Sequence, residues 1–141
     1  MRRVLLAAYA VYLLTAAYLV FWPQPDAPAG SVLRFTELLE AVGITFVTGT
    51  IVEFFFNVLL FVPLTMLGTL LWPQVNPLQW IFLGMAGTVT IEFVQYAALP
   101  DRSATLSDLV ANTFGAVIGV DLGLRIRWLC DRRTSTARAG R

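Results

Sequence analysis

The run FFFNVLLFVPLTMLGTLLW, residues 54–72, decides the architecture, because it holds 19 consecutive positions without a charge. At about 1.5 Å rise per residue, a helix of that length crosses a hydrocarbon core of about 30 Å. Working outward, residues 4–22 are likewise uncharged, residues 80–99 carry only Glu92, and residues 106–124 carry Asp108 and Asp121. Backbone groups in lipid have to be satisfied within their own segment, so all four runs read as transmembrane helices. Pro23, Pro25 and Pro28 end the first span, Pro73 and Pro77 punctuate the gap after the second, and Pro100 ends the third. Trp22, Trp72, Trp80 and Trp128 sit near the span ends, as an interfacial belt requires.

Bulk composition agrees. The 141 residues are 57% hydrophobic and 13% charged, with a mean hydropathy of +0.72. A soluble domain is about 45–50% apolar and about 25% charged, and one this small leaves much of its surface wet. Lipid has to cover the excess. Histidine and lysine are missing and there is one cysteine. That excludes Ser-His-Asp and Cys-His triads, His or multi-Cys zinc sites, Schiff-base lysines, the P-loop lysine and a disulfide within the chain. No cofactor is called for.

Arginine sets the expected orientation. Arg2 and Arg3 precede the first span, and six arginines from Arg125 to Arg141 follow the fourth, against Asp131 alone. The first loop has Asp26, Glu37, Glu40 and Glu53 against Arg34. Basic flanks stay inside, so both termini are expected in the cytoplasm. The competing reading is a signal peptide cleaved after Ala27-Pro28-Ala29; the apolar run exceeds the usual signal core of about 7–15 residues, which favours an uncleaved helix. In the first extracytoplasmic loop, residues 31–42 place Val32, Phe35, Leu38, Leu39 and Val42 at helical spacing, which predicts a short amphipathic helix ended by Gly43. The expected fold is an all-α bundle of four transmembrane helices plus this surface helix. It forms one domain over residues 1–130, with an unstructured basic tail at 131–141 that holds the cytoplasmic leaflet rather than nucleic acid.

Ionisable and amide side chains within spans are costly unless they face protein or water, so their positions are informative. Asn57 lies four residues after Glu53, Glu92 and Gln95 are three apart, and Asp108 and Asn112 are four apart. Such spacings share a helix face. Three spans therefore each bring a carboxylate and an amide to a similar depth on the outer side, level with Arg102 in the third loop. In the fourth span, Gly115, Gly119 and Gly123 continue the Asp108/Asn112 face as a small-residue row, and in the third, Gly84 and Thr88 stack with Glu92. Those faces are expected to point inward and meet. Pro63 frees the Leu59 carbonyl and is expected to bend the second span. Asn57, Gln95 and Asn112 each read, taken singly, as interhelical hydrogen-bond glue. Arg102 with Asp108 reads equally as a structural ion pair. Glu92 is hardest to explain structurally, and a carboxyl held where water is scarce is a candidate general acid or base. Asp121 and Arg125 read as an ordinary helix-end pair.

The runs NVLLFVPL (57–64), IEFVQ (91–95), RSATLSD (102–108) and LVANTFGAVIG (109–119), in this order and spacing, resemble the VanZ-like family over residues 50–125. By position, that family's polar signature falls on Asn57, Pro63, Glu92, Gln95, Arg102, Asp108, Asn112 and Gly115. Thr65 departs from it, standing where a glycine commonly follows the Pro-Leu pair, which argues against tight helix packing there. The resemblance implies small bacterial polytopic membrane proteins of the cell envelope, named for a teicoplanin-resistance factor, and carries no agreed molecular activity.

Three functions fit, in this order. In the first, Asn57, Glu92, Gln95, Arg102, Asp108 and Asn112 line an outward pocket that binds a lipid-linked wall precursor or the lipid-bearing end of a glycopeptide. The second is an intramembrane enzyme acting on a lipid head group, with Glu92 and Asp108 as acid and base, or with Mg²⁺ or Ca²⁺ held by carboxylates and amides. The third is a proton-coupled transporter or partner subunit, which at this size calls for a homo-oligomer or a partner.

Overall fold

The structure is a computed structural model that describes residues 2–21, 26–98 and 105–139, with 26–28 and 134–139 described by backbone alone. The expectations placed on Trp22, Pro23, Pro25, Pro100 and Arg102 lie outside the described residues. The chain is all-helical, in the order α1 (Arg2–Val20), α2 (Asp26–Ala41), α3 (Gly49–Leu71), α4 (Pro77–Ala98) and α5 (Leu106–Ala139). Four of these, α1, α3, α4 and α5, are long and apolar enough to cross a membrane.

The helix ends follow from local chemistry. The start of α2 differs from the sequence expectation. It starts five residues earlier, with Pro28 in its first turn, where a missing N–H costs nothing. It stops as expected at Gly43, whose φ of 88° favours glycine. There Ile44 N–H bonds the Leu39 carbonyl at 2.8 Å and Gly43 N–H bonds Glu40 at 2.9 Å, a Schellman closure. Asn76 caps α4 by accepting Leu78 N–H at 2.9 Å, and Gln79 Oε1 reaches back to Asn76 N–H at 3.0 Å. Pro77 takes the first helical position.

At the other terminus, the tail expected to be unstructured continues as helix to Ala139. No proline or glycine interrupts residues 124–139. Arg125 Nε meets Asp121 Oδ2 at 2.6 Å, and the Arg132 guanidinium lies 3.8 Å over the Trp128 ring, so pairs four residues apart brace successive turns.

α3 touches every other helix, and α5 packs between α3 and α4. The α3–α5 contact is a backbone-to-backbone seam. A Cβ added at Gly115 would run into the Val58 carbonyl, and one at Gly119 into the Thr65 hydroxyl and the Val62 carbonyl. One at Gly123 would come within 2.9 Å of Thr69 Cβ. The expectation of loose packing at Thr65 is corrected. Thr65 is 1% exposed, and its hydroxyl donates to Ala116 O at 3.0 Å across the seam and shares Phe61 O at 3.2 Å. The space that a glycine on α3 leaves open is here supplied by Gly119 on α5.

Among the described residues the buried apolar side chains are few: Val52, Val58, Phe61, Leu71, Ala111, Ala116 and Val120. Large exposed ones such as Phe82, Phe93 and Val110 point outward, as lipid contact requires. α1 has no buried residue. Its ties include the Tyr12 hydroxyl donating to Leu60 O, next to the carbonyl that Pro63 leaves without a helical donor, and an edge-on Tyr9–Trp72 contact at 5.5 Å.

Gly119→Leu should lower the unfolding free energy by at least about 1–3 kcal/mol, because backbone on α3 cannot move aside as a side chain would. Gly87→Ala, in open space on α4, should stay within about 0.5 kcal/mol of the parent or gain slightly. Unfolding in detergent, followed by circular dichroism, compares the two.

Candidate functional site

The glycine seam holds α3 and α5 parallel, and at their N-terminal ends it sets Asn57 against Asp108. Asn57 Nδ2 donates to Asp108 Oδ1 at 2.6 Å. Thr105, which caps α5, donates its hydroxyl to Asp108 Oδ2 at 2.7 Å and accepts the Asp108 backbone N–H at 3.1 Å. Both Asp108 oxygens are thereby engaged, one by a neighbouring helix and one by a reciprocal cap.

α4 runs antiparallel to α5 and meets it turn by turn. A Cβ at Gly84 would lie 2.8 Å from Ala116 Cβ, Thr88 faces Asn112, and Glu92 stands beside Asp108. Steps of four on one helix match steps of four on the other, so polar and small residues share one seam. Asn112 is 4% exposed; its Nδ2 donates to Thr88 Oγ1 at 2.7 Å, while its buried Oδ1 has no partner. The Glu92 carboxylate senses the Asp108 charge and meets the Thr105 backbone N–H, but its Oε2 is also buried without a partner. A buried polar atom left unpaired costs about 1–3 kcal/mol. Among the described residues the structure carries that cost at these two oxygens and at Trp80 Nε1, at the other end of α4.

The structure therefore brings Asn57, Glu92, Asp108 and Asn112 together. Gln95 does not join them. Three residues beyond Glu92 it has turned about 60° around the helix, and its Nε2 donates to Val20 O at 3.0 Å, tying α4 to the end of α1. Glu53 stays exposed in the second turn of α3. Thr88, expected on the inward Glu92 face, proves to be the acceptor for Asn112, whereas Thr105 is a partner that the spacing did not single out. For Thr105 the signal was present, since Thr-x-x-Asp before an apolar run is a helix-start pattern.

Among the described residues the local charge is one-sided. α3 and α4 contain no basic residue, and the first in α5 is Arg125, roughly 25 Å along the axis from Asp108. Among the described residues no group of three His, Cys, Asp or Glu gathers to hold a metal ion. Beside the seam, an apolar cleft of about 150 Å³ lies between α1 and α3, bounded by Ala17, Val20, Leu60, Leu64 and Ile91, the neighbour of Glu92. A second, of about 330 Å³, lies under α2 against Phe55, Phe56 and Leu59.

Asn57→Leu should cost about 1.5–3 kcal/mol of stability, because Asp108 loses a donor to one oxygen while keeping its charge. Adding Asp108→Leu to that variant should cost less than Asp108→Leu does alone. Unfolding of the two single variants and the double variant in detergent checks this coupling.

No curated protein and no solved structure matches the chain. Residues 9–127 match VanZ/LLP1, a region that includes the whole α3–α4–α5 seam. The chain belongs to the VanZ-like family.

Proposed function

We propose that this protein holds an amphiphile in the membrane of the bacterial cell envelope, with the head group at the Glu92–Asp108–Asn112 seam and an acyl chain along the α1–α3 cleft. The observation that carries this reading is the pair of buried, partnerless oxygens at Glu92 and Asn112. Glu92 is the chain neighbour of Ile91, which helps to line the apolar α1–α3 cleft. A soluble ligand has no use for the cleft, and a hydrocarbon alone has none for the oxygens. A lipid-linked wall precursor or the lipid-bearing end of a glycopeptide has both parts, which is how a family named for teicoplanin resistance connects to the site. Arg102, in the connection between α4 and α5, is assigned to a phosphate or carboxylate of the same ligand.

The arginine bias supports cytoplasmic termini, an orientation in which the seam opens to the exterior. A second reading rests on the closeness of Glu92 and Asp108. Two adjacent carboxylates can work as acid and base on a lipid head group.

Native mass spectrometry of the protein in nanodiscs should reveal a co-purified amphiphile. Arg102→Ala should release it, and Glu92→Gln should weaken it without abolishing it. Conversion of a lipid-linked substrate by the parent protein, lost in Glu92→Gln and retained in Arg102→Ala, would favour the enzyme. Retention of no amphiphile by the parent protein would overturn the binding reading.

A further inference from the structure

Both amides along the seam already give an N–H to a protein acceptor, Asn57 to Asp108 and Asn112 to Thr88, and Gln95, off the seam, gives one to Val20. What remains buried and unmet is oxygen, Glu92 Oε2 and Asn112 Oδ1. These atoms accept hydrogen bonds. An amide oxygen cannot donate, and an ionised carboxylate cannot either. A phosphate or carboxylate placed against them would face lone pairs and the charge of two acids. The position therefore calls for a group rich in N–H or O–H.

Three features narrow that group. The two carboxylates side by side carry an excess of negative charge in the helical part of the site, with the nearest basic residue of α3, α4 or α5 several turns away at Arg125. A single added proton would relieve Glu92 but leave Asn112 Oδ1, one turn deeper on the facing helix, still unmet. A primary ammonium carries one positive charge and three N–H donors, enough to reach both helices at once. Asn112 supplies the independent mark of a built site. It is nine-tenths buried, its amide is fixed in the α4–α5 seam by the 2.7 Å bond to Thr88, and its oxygen is without a partner.

We propose that the Glu92–Asp108–Asn112 seam receives a primary ammonium group, so that the amphiphile this protein holds is an amine-bearing one. This inference rests on the amphiphile-binding reading and names its head group. The ammonium sits between Glu92 Oε2 and Asn112 Oδ1, with Asp108 close by and held in place by Asn57 and Thr105. The source of the amine is either a zwitterionic lipid such as phosphatidylethanolamine or an amino group on a free amphiphile.

The test presents the full-length protein in detergent with equal amounts of dioleoyl-phosphatidylethanolamine, dioleoyl-phosphatidylcholine and dioleoyl-phosphatidylglycerol, and reads retention by native mass spectrometry. Phosphatidylcholine keeps the positive charge but has no N–H, and phosphatidylglycerol has hydroxyls without the charge. Phosphatidylethanolamine should be retained about tenfold over both, as a charge-assisted hydrogen bond predicts. Glu92→Gln and Asn112→Leu should each level the three. Dodecylamine that displaces the retained lipid, while dodecyltrimethylammonium does not, would assign the site to free amines as well; failure of dodecylamine to compete would restrict it to the phospholipid. Equal retention of all three lipids by the parent protein, still lost in Arg102→Ala, would overturn the ammonium assignment and leave the amphiphile reading standing. Retention of none would end both. The lipid series is read on the parent protein, so a variant that fails to fold does not decide the matter.

Discussion

The structure depends on the close approach of two helix backbones, α3 and α5. Between membrane helices burial of apolar surface gives little net attraction, since lipid tails are as apolar as leucine, so dispersion and hydrogen bonds have to supply the cohesion. Gly115, Gly119 and Gly123 bring α5 against the Val58, Val62 and Met66 carbonyls of α3. Thr65 then bonds the Ala116 carbonyl across the gap. The same approach makes the polar cluster geometrically available. With wider separation, Asn57 would not reach Asp108, and α4 would have no fixed partner for Thr88 and Glu92.

Packing and site are thus one continuous device. Along α5 the residues facing inward change from small and apolar (Gly123, Gly119, Ala116) to polar (Asn112, Asp108) without leaving the seam. α3 answers with Thr69, Thr65, Phe61 and then Asn57. The half nearer the C-terminus of α5 is close-packed, and the half nearer its cap holds carboxylates and amides with two oxygens unmet. α1 and α2 belong to a different regime. They attach to α3 over apolar clefts, through few bonds, and α1 buries no residue of its own.

Much of this was legible in the sequence because hydrocarbon makes the rules strict. An uncharged run of 19 residues has few options, and a glycine row spaced by four next to Asp108 and Asn112 tells which face is inside. The positions of Glu92 and Asn112 followed from the same phase argument. Gln95 was misgrouped because three-residue spacing shares a face only to within about 60°, and that difference separates contact with α5 from contact with α1. Thr65 looked too large from α3 alone, since the room for it is made by a residue 54 positions later in the chain. Such compensation has no local signature. The Tyr12–Leu60 bond had none either, for a tyrosine in an apolar run does not announce its acceptor.

The length of α5 carries one more consequence. Its 34 residues measure roughly 50 Å at about 1.5 Å per residue, some 20 Å more than the hydrocarbon layer is thick. The surplus is a stiff spar rather than a slack string, and it fixes the angular setting of Arg125, Arg127, Arg132 and Arg133 relative to the glycine seam. Anionic phospholipid gripping those guanidiniums would in consequence clamp the roll and tilt of α5 from below, and through the shared backbone contact those of α3 as well.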